Sequence, residues 1–207
     1  MLPGVGIAAV NILCLPDFVG HPLCYSALAK QLKGQATLHM PNYSLWWPYE
    51  SVEALAGKII EAMNPADYDL LLGYSFGAHV AAHCASRSNV RRLCLIDPPP
   101  LASLQDLTLE GIRQRLAADS RYAYIQDLVD AELVDPDCVH GNILLLSRLD
   151  DLPSFDAATD LLLSTASSMT AVKADFPRAR GCWLDDQCDH ATIIASRHLA
   201  PLILQDH

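Results

Sequence analysis

Residues 70–85 read LLLGYSFGAHVAAHCA, and this stretch decides the fold. It opens as a short apolar run typical of a buried strand, passes through GYSFG, and continues with small and apolar residues that suit a helix. A serine on a sharp turn between a strand and a helix gives the pattern G-x-S-x-G a chemical meaning. Such a turn strains the backbone, so the residues two positions from the serine must be small to avoid collision. The alternative interpretation is a glycine-rich turn without a chemical role.

Strand-like and helix-like segments alternate on both sides of this stretch. Apolar runs predict strands at residues 10–15, 36–40, 69–73 and 92–96, and apolar spacing predicts helices at residues 23–32, 51–63 and 77–87. This alternation is typical of an α/β protein with a mostly parallel sheet covered by helices on both faces. Sites in such sheets form at the carboxyl ends of the strands, where Ser75 and Asp97 both lie.

The alternation is interrupted between the fourth and fifth predicted strands. The inserted segment, residues 103–157, contains helix-like stretches and an apolar run at 143–146. We interpret it as a helical lid over the site, and a small subdomain packed on itself is the alternative. Strands at 160–164 and 180–184 and a closing helix at 191–204 complete a single domain of residues 1–207.

Composition excludes several classes of protein. The net charge is −10 and the only basic cluster is Arg91-Arg92, which argues against nucleic acid as the main partner. No apolar run reaches the roughly 18 residues of a membrane span, and the apolar N-terminus lacks the basic region of a signal peptide. Cys14, Cys84 and Cys94 fall in apolar segments, which indicates reduced thiols and predicts a cytoplasmic protein without membrane attachment.

A serine hydroxyl needs a base to become a nucleophile, and the base needs an orienting acid. His190 is the predicted base because it follows the last predicted strand, and Asp97 is the predicted acid because it ends the strand after the nucleophile strand. The order serine, acid, histidine is that of the hydrolases. Asp150 and Asp151 are alternative acids if residues 143–146 form a sheet strand.

The remaining groups of a serine hydrolase site are two N–H donors for the oxyanion. One is predicted to be the N–H of Phe76, which follows the nucleophile, and the other that of Phe18, in the loop after the first strand. No metal is predicted. The Asp, Cys and His residues at 185–190 match no zinc spacing, and His79 and His83 lack the neighbouring Glu of the zinc-protease pattern.

These motifs resemble the thioesterase domains that release products from nonribosomal peptide and polyketide synthases, within the α/β-hydrolase superfamily. LPDFVGHPLCYSALAKQL resembles their first loop and helix, GYSFGAHVAAH their nucleophile elbow, LCLIDPPP their acid strand and QCDHATII their histidine loop. The resemblance implies an α/β-hydrolase fold with Ser75 as nucleophile, Asp97 as acid, His190 as base, and Phe18 and Phe76 as oxyanion donors.

The same resemblance implies a function. The substrate would be an acyl, peptidyl or polyketide chain on the phosphopantetheine thioester of a carrier protein, released by hydrolysis or cyclisation. The carrier protein would be the partner, and the enzyme would need no cofactor because the phosphopantetheine belongs to the carrier. The alternatives are a small-molecule carboxylesterase or lipase with the same triad, and a non-catalytic binding protein that kept the hydrolase fold.

Overall fold

The computed structural model describes residues 9–104 and 108–205. Six strands form one sheet in the order β2-β1-β3-β4-β5-β6, and all of its pairings are parallel. The strands are β1 Val10–Leu15, β2 Ala36–His39, β3 Leu70–Tyr74, β4 Arg92–Ile96, β5 Ala158–Ser164 and β6 Gly181–Asp185. The predicted α/β class with a parallel sheet is confirmed, and each predicted strand lies within two residues of its observed bounds.

The α-helices of the described residues cover both faces of the sheet. They are α1 Ser26–Gln31, α2 Val52–Met63, α3 Phe76–Arg87, α4 Leu101–Leu104, α5 Leu109–Ala118, α6 Tyr124–Asp130, α7 Pro136–Ser147, α8 Met169–Asp175 and α9 Leu199–Leu204. One core packs beneath α2, α3 and α8, and a second core packs beneath α1 and α9. None of these helices combines the length and hydrophobicity that a membrane span requires.

The two cores explain why the strands read as continuous apolar runs. Successive side chains of a strand point to opposite faces, so Leu71 enters the first core while Leu70 and Leu72 enter the second. A strand buried on both faces therefore lacks polar alternation. The cysteines at 14, 84 and 94 are buried free thiols, as predicted.

The end of the chain differs from the prediction. The expected helix at 191–204 is mostly irregular, and only Leu199–Leu204 forms an α-helix. The Asp189 carboxylate accepts the N–H groups of Ala191 and Thr192, and the Ser196 hydroxyl accepts that of His198. These side-chain hydrogen bonds compete with helical ones and hold the chain in turns.

The segment between β4 and β5 is helical and contains α4 to α7. The apolar run at 143–146 lies inside α7, which Asp135 caps and Pro136 begins. The interpretation of this run as a strand is wrong, and with it the argument for Asp150 or Asp151 as the acid. Residues 105–107 of the predicted lid, and residues 1–8 at the N-terminus, lie outside the described part.

A histidine is buried in α3, the helix that follows β3. His79 of α3 is fully buried, and its Nε2 lies 2.9 Å from the carbonyl oxygen of Pro99. Since a carbonyl only accepts, Nε2 carries the proton, and the described residues offer no hydrogen-bond partner to Nδ1. Burial lowers the pKa of His79 to about 4, so the ring is neutral in the folded protein.

This histidine makes folding sensitive to acid. An unfolded histidine binds a proton near pH 6.5, whereas the folded one resists it, so its contribution to stability is complete above that pH and declines below it. Relative to His79→Gln, the wild type should lose about 1.4 kcal/mol of unfolding free energy per pH unit between pH 6.5 and about 4. Burial raises the pKa of Asp17 to about 6, so its contribution to stability changes with pH in the opposite direction. That contribution is the same in both proteins and cancels from their difference. Urea unfolding at several pH values measures the difference, and parallel pH curves would contradict this account.

Candidate active site

The turn between β3 and α3 holds Ser75 in a conformation that the flanking glycines permit. Ser75 has φ 54° and ψ −120° and is 2% exposed. A Cβ on Gly73 would lie 2.4 Å from the carbonyl oxygen of Gly77, and one on Gly77 would lie 2.1 Å from that of Leu15. Any larger residue would displace the backbone at either position, which confirms the prediction that small residues flank the turn.

The structure brings together the three residues of the predicted triad. The Nε2 atom of His190 lies 3.0 Å from Ser75 Oγ, and its Nδ1 lies 2.6 Å from Asp97 Oδ2. A carboxylate only accepts hydrogen bonds, so Nδ1 donates to it and Nε2 is free to accept from the serine hydroxyl. The three groups therefore form one hydrogen-bonded series in which a proton can leave Ser75.

Asp97 is held by four hydrogen bonds at the carboxyl end of β4. Its Oδ1 accepts from the Ser164 N–H at 2.7 Å and from the Ser167 hydroxyl at 2.6 Å, and its Oδ2 accepts from the Ser164 hydroxyl and from His190. Burial opposes ionisation, but the hydrogen bonds and the charge of His190 outweigh it and hold the pKa of Asp97 below its usual value. The acid is therefore a fixed, ionised acceptor.

The loop after β6 places His190. The hydroxyl of Tyr74, one residue before Ser75, donates to the carbonyl oxygen of His190 at 2.6 Å. The carboxylate of Asp189 accepts hydrogen bonds from the loop that follows, whereas the imidazole of His190 is bonded to Asp97. The histidine is thus anchored to the same strand that carries the serine.

A cavity of about 520 Å³ opens in front of Ser75. Ser75, Asp97 and His190 lie on one side, and the segment between β4 and β5 supplies apolar side chains on the other. The lining residues are Phe18, Ser75, Asp97, Pro99, Pro100, Ser103, Leu104, Ile112, Tyr122, Ile143, Leu146, Ala166, Ser167 and His190. A volume of this size is typical of small-molecule sites.

The sequence of this chain matches the family described as the thioesterase domain over residues 10–141, well over half its length. The chain belongs to the thioesterase family. No curated protein matches its sequence significantly.

Solved structures with the same fold include several biosynthetic thioesterases. The RedJ thioesterase of the prodiginine pathway of Streptomyces coelicolor has 18% identity and a TM-score of 0.69, covering 95% of this chain and 84% of that one. The type II thioesterase BorB of the borrelidin cluster has 16% identity and a TM-score of 0.65, covering 95% and 88%. The NocB thioesterase domain, bound covalently to a fluorophosphonate nocardicin G analogue, has 21% identity and a TM-score of 0.60, covering 96% and 92%. These similarities establish the α/β-hydrolase fold of this thioesterase-family chain.

The two predicted oxyanion donors lie on segments in direct contact. Phe76 is the first residue of α3, and Phe18 follows β1 in the loop against which Gly77 packs. Among the described residues, none accepts the main-chain N–H of Phe18 or of Phe76. Neither N–H group is thus engaged by the described part of the protein, and their role as oxyanion donors stays a prediction.

A helix of the predicted lid holds the loop that contains Phe18. Asn142 of α7 is fully buried, and its Nδ2 donates to the Phe18 carbonyl oxygen at 2.9 Å, while its Oδ1 accepts from the Tyr49 hydroxyl at 2.5 Å. The N–H of Val19, in the same peptide unit as that carbonyl, donates to Asp17 Oδ1 at 3.0 Å. Both ends of this peptide are thus fixed. The sequence did not point to Asn142, which is one of several polar residues in α7 and precedes the apolar run 143–146.

The acidic segment before His190 has a structural role. Asp185 is buried and accepts from the Ser196 hydroxyl at 2.5 Å and from the Gln187 N–H at 3.0 Å. The hydrogen bond from Ser196 is the main cause that lowers the pKa of Asp185. Within the described ranges, no group of three or more His, Cys, Asp or Glu side chains is placed to hold a metal ion.

Proposed function

We propose that this chain releases an acyl, peptidyl or polyketide chain from the phosphopantetheine thioester of a carrier protein, through an acyl-enzyme on Ser75. The observation that carries the proposal is the hydrogen-bonded series from Ser75 through His190 to Asp97 beside an open cavity. Membership of the thioesterase family and the fold shared with RedJ, BorB and NocB support the choice of substrate class.

The first half of the reaction transfers the acyl group to the enzyme. As Ser75 Oγ attacks the thioester carbonyl, His190 Nε2 takes its proton, and Asp97 stabilises the resulting imidazolium. The carbon–sulfur bond then breaks, and the imidazolium returns the proton to the departing pantetheine sulfur. The strong hydrogen bonds to Asp97 keep its charge fixed, so the ring does not need to reorient during the transfer.

The tetrahedral intermediate needs donors for its oxyanion. The N–H groups of Phe76 and Phe18 supply them, and the positive end of the α3 dipole lies behind Phe76. Because the Phe18–Val19 peptide is fixed at both ends, the preceding N–H of Phe18 is oriented before substrate binds.

The second half of the reaction removes the acyl group from Ser75. A water molecule activated by His190 gives a free acid, and an internal hydroxyl or amine of the acyl chain gives a ring. The apolar wall contributed by Ile112, Ile143 and Leu146 suits an acyl chain and limits the access of water. Side chains of the protein supply the nucleophile, base and acid, so the proposal includes no cofactor. Its cysteines are free, which supports the cytoplasm as the place of action.

The proposal is tested by comparing substrates that differ in the carrier and in the ester atom. We expect kcat/KM for an acyl group on a carrier protein to exceed that for the same acyl group on pantetheine alone by at least about tenfold. A p-nitrophenyl ester of the same acid should be a poorer substrate than the thioester. Preference for the oxygen ester, with no gain from the carrier, would instead identify a small-molecule esterase. Failure of a fluorophosphonate to label the folded protein would favour the binding-protein alternative.

Asn142 is expected to be a positioning residue for the oxyanion donor Phe18. In Asn142→Leu a side chain of similar size that cannot donate replaces the amide, so kcat should fall about ten- to a hundredfold with little change in KM. Steady-state kinetics with a pantetheine thioester measures both constants.

Tyr49→Phe is the matched control for this prediction. It removes the other hydrogen bond of Asn142 but keeps the donor to Phe18, so kcat should change by less than about threefold. Both variants lose hydrogen bonding in the same buried network, and both should lose about 1–2 kcal/mol of unfolding free energy. Equal kcat values in the two variants would show that Asn142 serves stability alone.

A further inference from the structure

A second cavity of about 530 Å³ lies next to the first and is lined in part by Ala191 and Thr192, which follow His190. Its walls come from the loop and helix after β1, from the end of β3, from the segment between β4 and β5, and from the loop after His190. The lining residues are Asp17, Leu23, Cys24, Ser26, Ala27, Tyr74, Tyr122, Tyr124, Ala191, Thr192, Ile194 and Ala195. Tyr122 lines both this cavity and the one in front of Ser75. The two spaces therefore adjoin at Tyr122.

One wall of the second cavity carries a buried carboxylate. Asp17 is 4% exposed, and its Oδ1 accepts the Val19 N–H. The backbone N–H groups of Val19 and Gly20 face the carboxylate, which has no side-chain partner within the described residues, and Asp17 lines the cavity. Burial raises the pKa of Asp17 to about 6, while hydrogen bonds from the backbone and the charge of His190 favour the ionised form. At neutral pH the cavity therefore contains an ionised carboxylate.

Among the described residues, no hydrogen bond joins the Asp17 carboxylate to Ser75, Asp97 or His190, although its charge and that of His190 attract each other. The hydrogen bond that Asp17 accepts from Val19 shapes the loop, but an amide oxygen would accept that bond equally well. Among the described residues, no Lys or Arg forms a salt bridge with it. A buried carboxylate without such a partner costs free energy, which a cationic ligand would offset.

The other side chains of this cavity suit a cation as well. Tyr74, Tyr122 and Tyr124 lie around the carboxylate, and aromatic rings attract organic cations through their negative faces. A carboxylate beside aromatic rings favours an ammonium group over a neutral one and repels an anion. The rest of the lining is apolar or carries hydroxyl and thiol groups, which suits the carbon chain of an alkylammonium.

We propose that this second cavity binds an ammonium group of the substrate against Asp17 while the thioester carbonyl lies at Ser75. This inference rests on the proposed function, because it specifies further which substrates the same site binds. The ammonium could belong to the acyl chain or to the thiol arm, which approach Ser75 from opposite sides of the carbonyl. In both cases the cavity recognises an ammonium group, and the experiment shows which part of the substrate carries it.

The test uses matched thioesters at about pH 7.5, where both the carboxylate and an alkylammonium are charged. The acyl arm of the experiment places the charge on the acyl chain. It compares a hexanoyl chain that ends in a dimethylammonium group with the chain in which CH replaces the nitrogen. In the thiol arm, the hexanoyl thioester of dimethylaminoethanethiol is compared with its own CH isostere. The readout is the ratio of kcat/KM for the charged and neutral members of each pair, in wild type and in Asp17→Asn.

Asp17→Asn keeps an oxygen for the Val19 N–H and removes only the charge. We expect the ratio of charged to neutral substrate to fall at least about tenfold in one arm, and that arm identifies the source of the ammonium. Because each ratio is taken within one protein, a general loss of activity cancels. A ratio that differs by less than about twofold between the two proteins in both arms would overturn the inference.

A binding measurement keeps this inference separate from the proposed function. Pentylammonium chloride is titrated into wild type and Asp17→Asn and followed by NMR, with pentanol as the neutral control. Weaker binding of pentylammonium by at least about tenfold in the variant supports the site even if no thioester is turned over. Equal binding in both proteins contradicts it. Turnover of the neutral thioesters with unchanged ratios would leave the thioesterase proposal standing and remove only the ammonium site.

Discussion

Ser75→Ala is expected to reduce kcat/KM for a pantetheine thioester by at least about ten-thousand-fold. The reason is geometric, since Ser75 Oγ is the hydroxyl hydrogen-bonded to His190 and sits on the strained turn at the end of β3. Alanine fits the same backbone as serine, so the fold and the melting temperature should change little. Steady-state kinetics and a thermal melt of the same preparation measure the two effects.

Ser103→Ala is the matched control for this substitution. Ser103 lines the same cavity, but its hydroxyl donates to the carbonyl oxygen of Pro100 instead of contacting His190. Its loss should change kcat/KM by less than about threefold. Comparable activity in wild type and Ser75→Ala would show that the turn serves only the fold.

Asp97→Asn is expected to reduce kcat about ten-thousand-fold, because it moves the ring proton of His190 from Nδ1 to Nε2. Oδ1 of Asp97 accepts from the Ser164 N–H, which can only donate, so an amide nitrogen cannot occupy that position. The amide nitrogen must then face His190 Nδ1 from the position of Oδ2 and donate to it. That bond leaves the ring proton on Nε2, where the ring cannot accept the proton of Ser75.

Asp151→Asn is the control for this second substitution. Asp151 is exposed after α7 and was an alternative acid in the sequence, but it has no contact with His190. Its kcat should stay within about twofold of the wild type. If Asp97→Asn instead kept more than about a tenth of the wild-type kcat, Asp97 would not be orienting the base.

The sequence predicted the sheet well because burial on both faces leaves a strong signal. Leu70, Leu71 and Leu72 read as one apolar run, and the structure buries them alternately in the two cores. The turn that holds Ser75 was also predictable, because the structure leaves no room for a Cβ at Gly73 or Gly77 and the sequence therefore shows glycine at both positions. The proximity of Ser75, Asp97 and His190 followed from their positions after strands of a parallel sheet.

The sequence failed where side chains meet across long separations. Nothing in α7 identifies Phe18 as the partner of Asn142, because that contact depends on how the inserted helices pack against the first loop. The position of the Asp17 carboxylate could not be predicted for the same reason, since the cavity that it lines forms only after the segments assemble. The closing helix was overpredicted because hydrogen bonds from Asp189 and Ser196 outweigh the helical tendency of the apolar residues.

The central claim is that Ser75 carries the acyl group during the reaction. The most direct measurement is the intact mass of the protein after mixing with an acyl-pantetheine thioester, for wild type, Ser75→Ala and His190→Ala. The account predicts that wild type gains one acyl group or consumes the thioester, that Ser75→Ala does neither, and that His190→Ala is severely slowed. Identical behaviour of wild type and Ser75→Ala would contradict it.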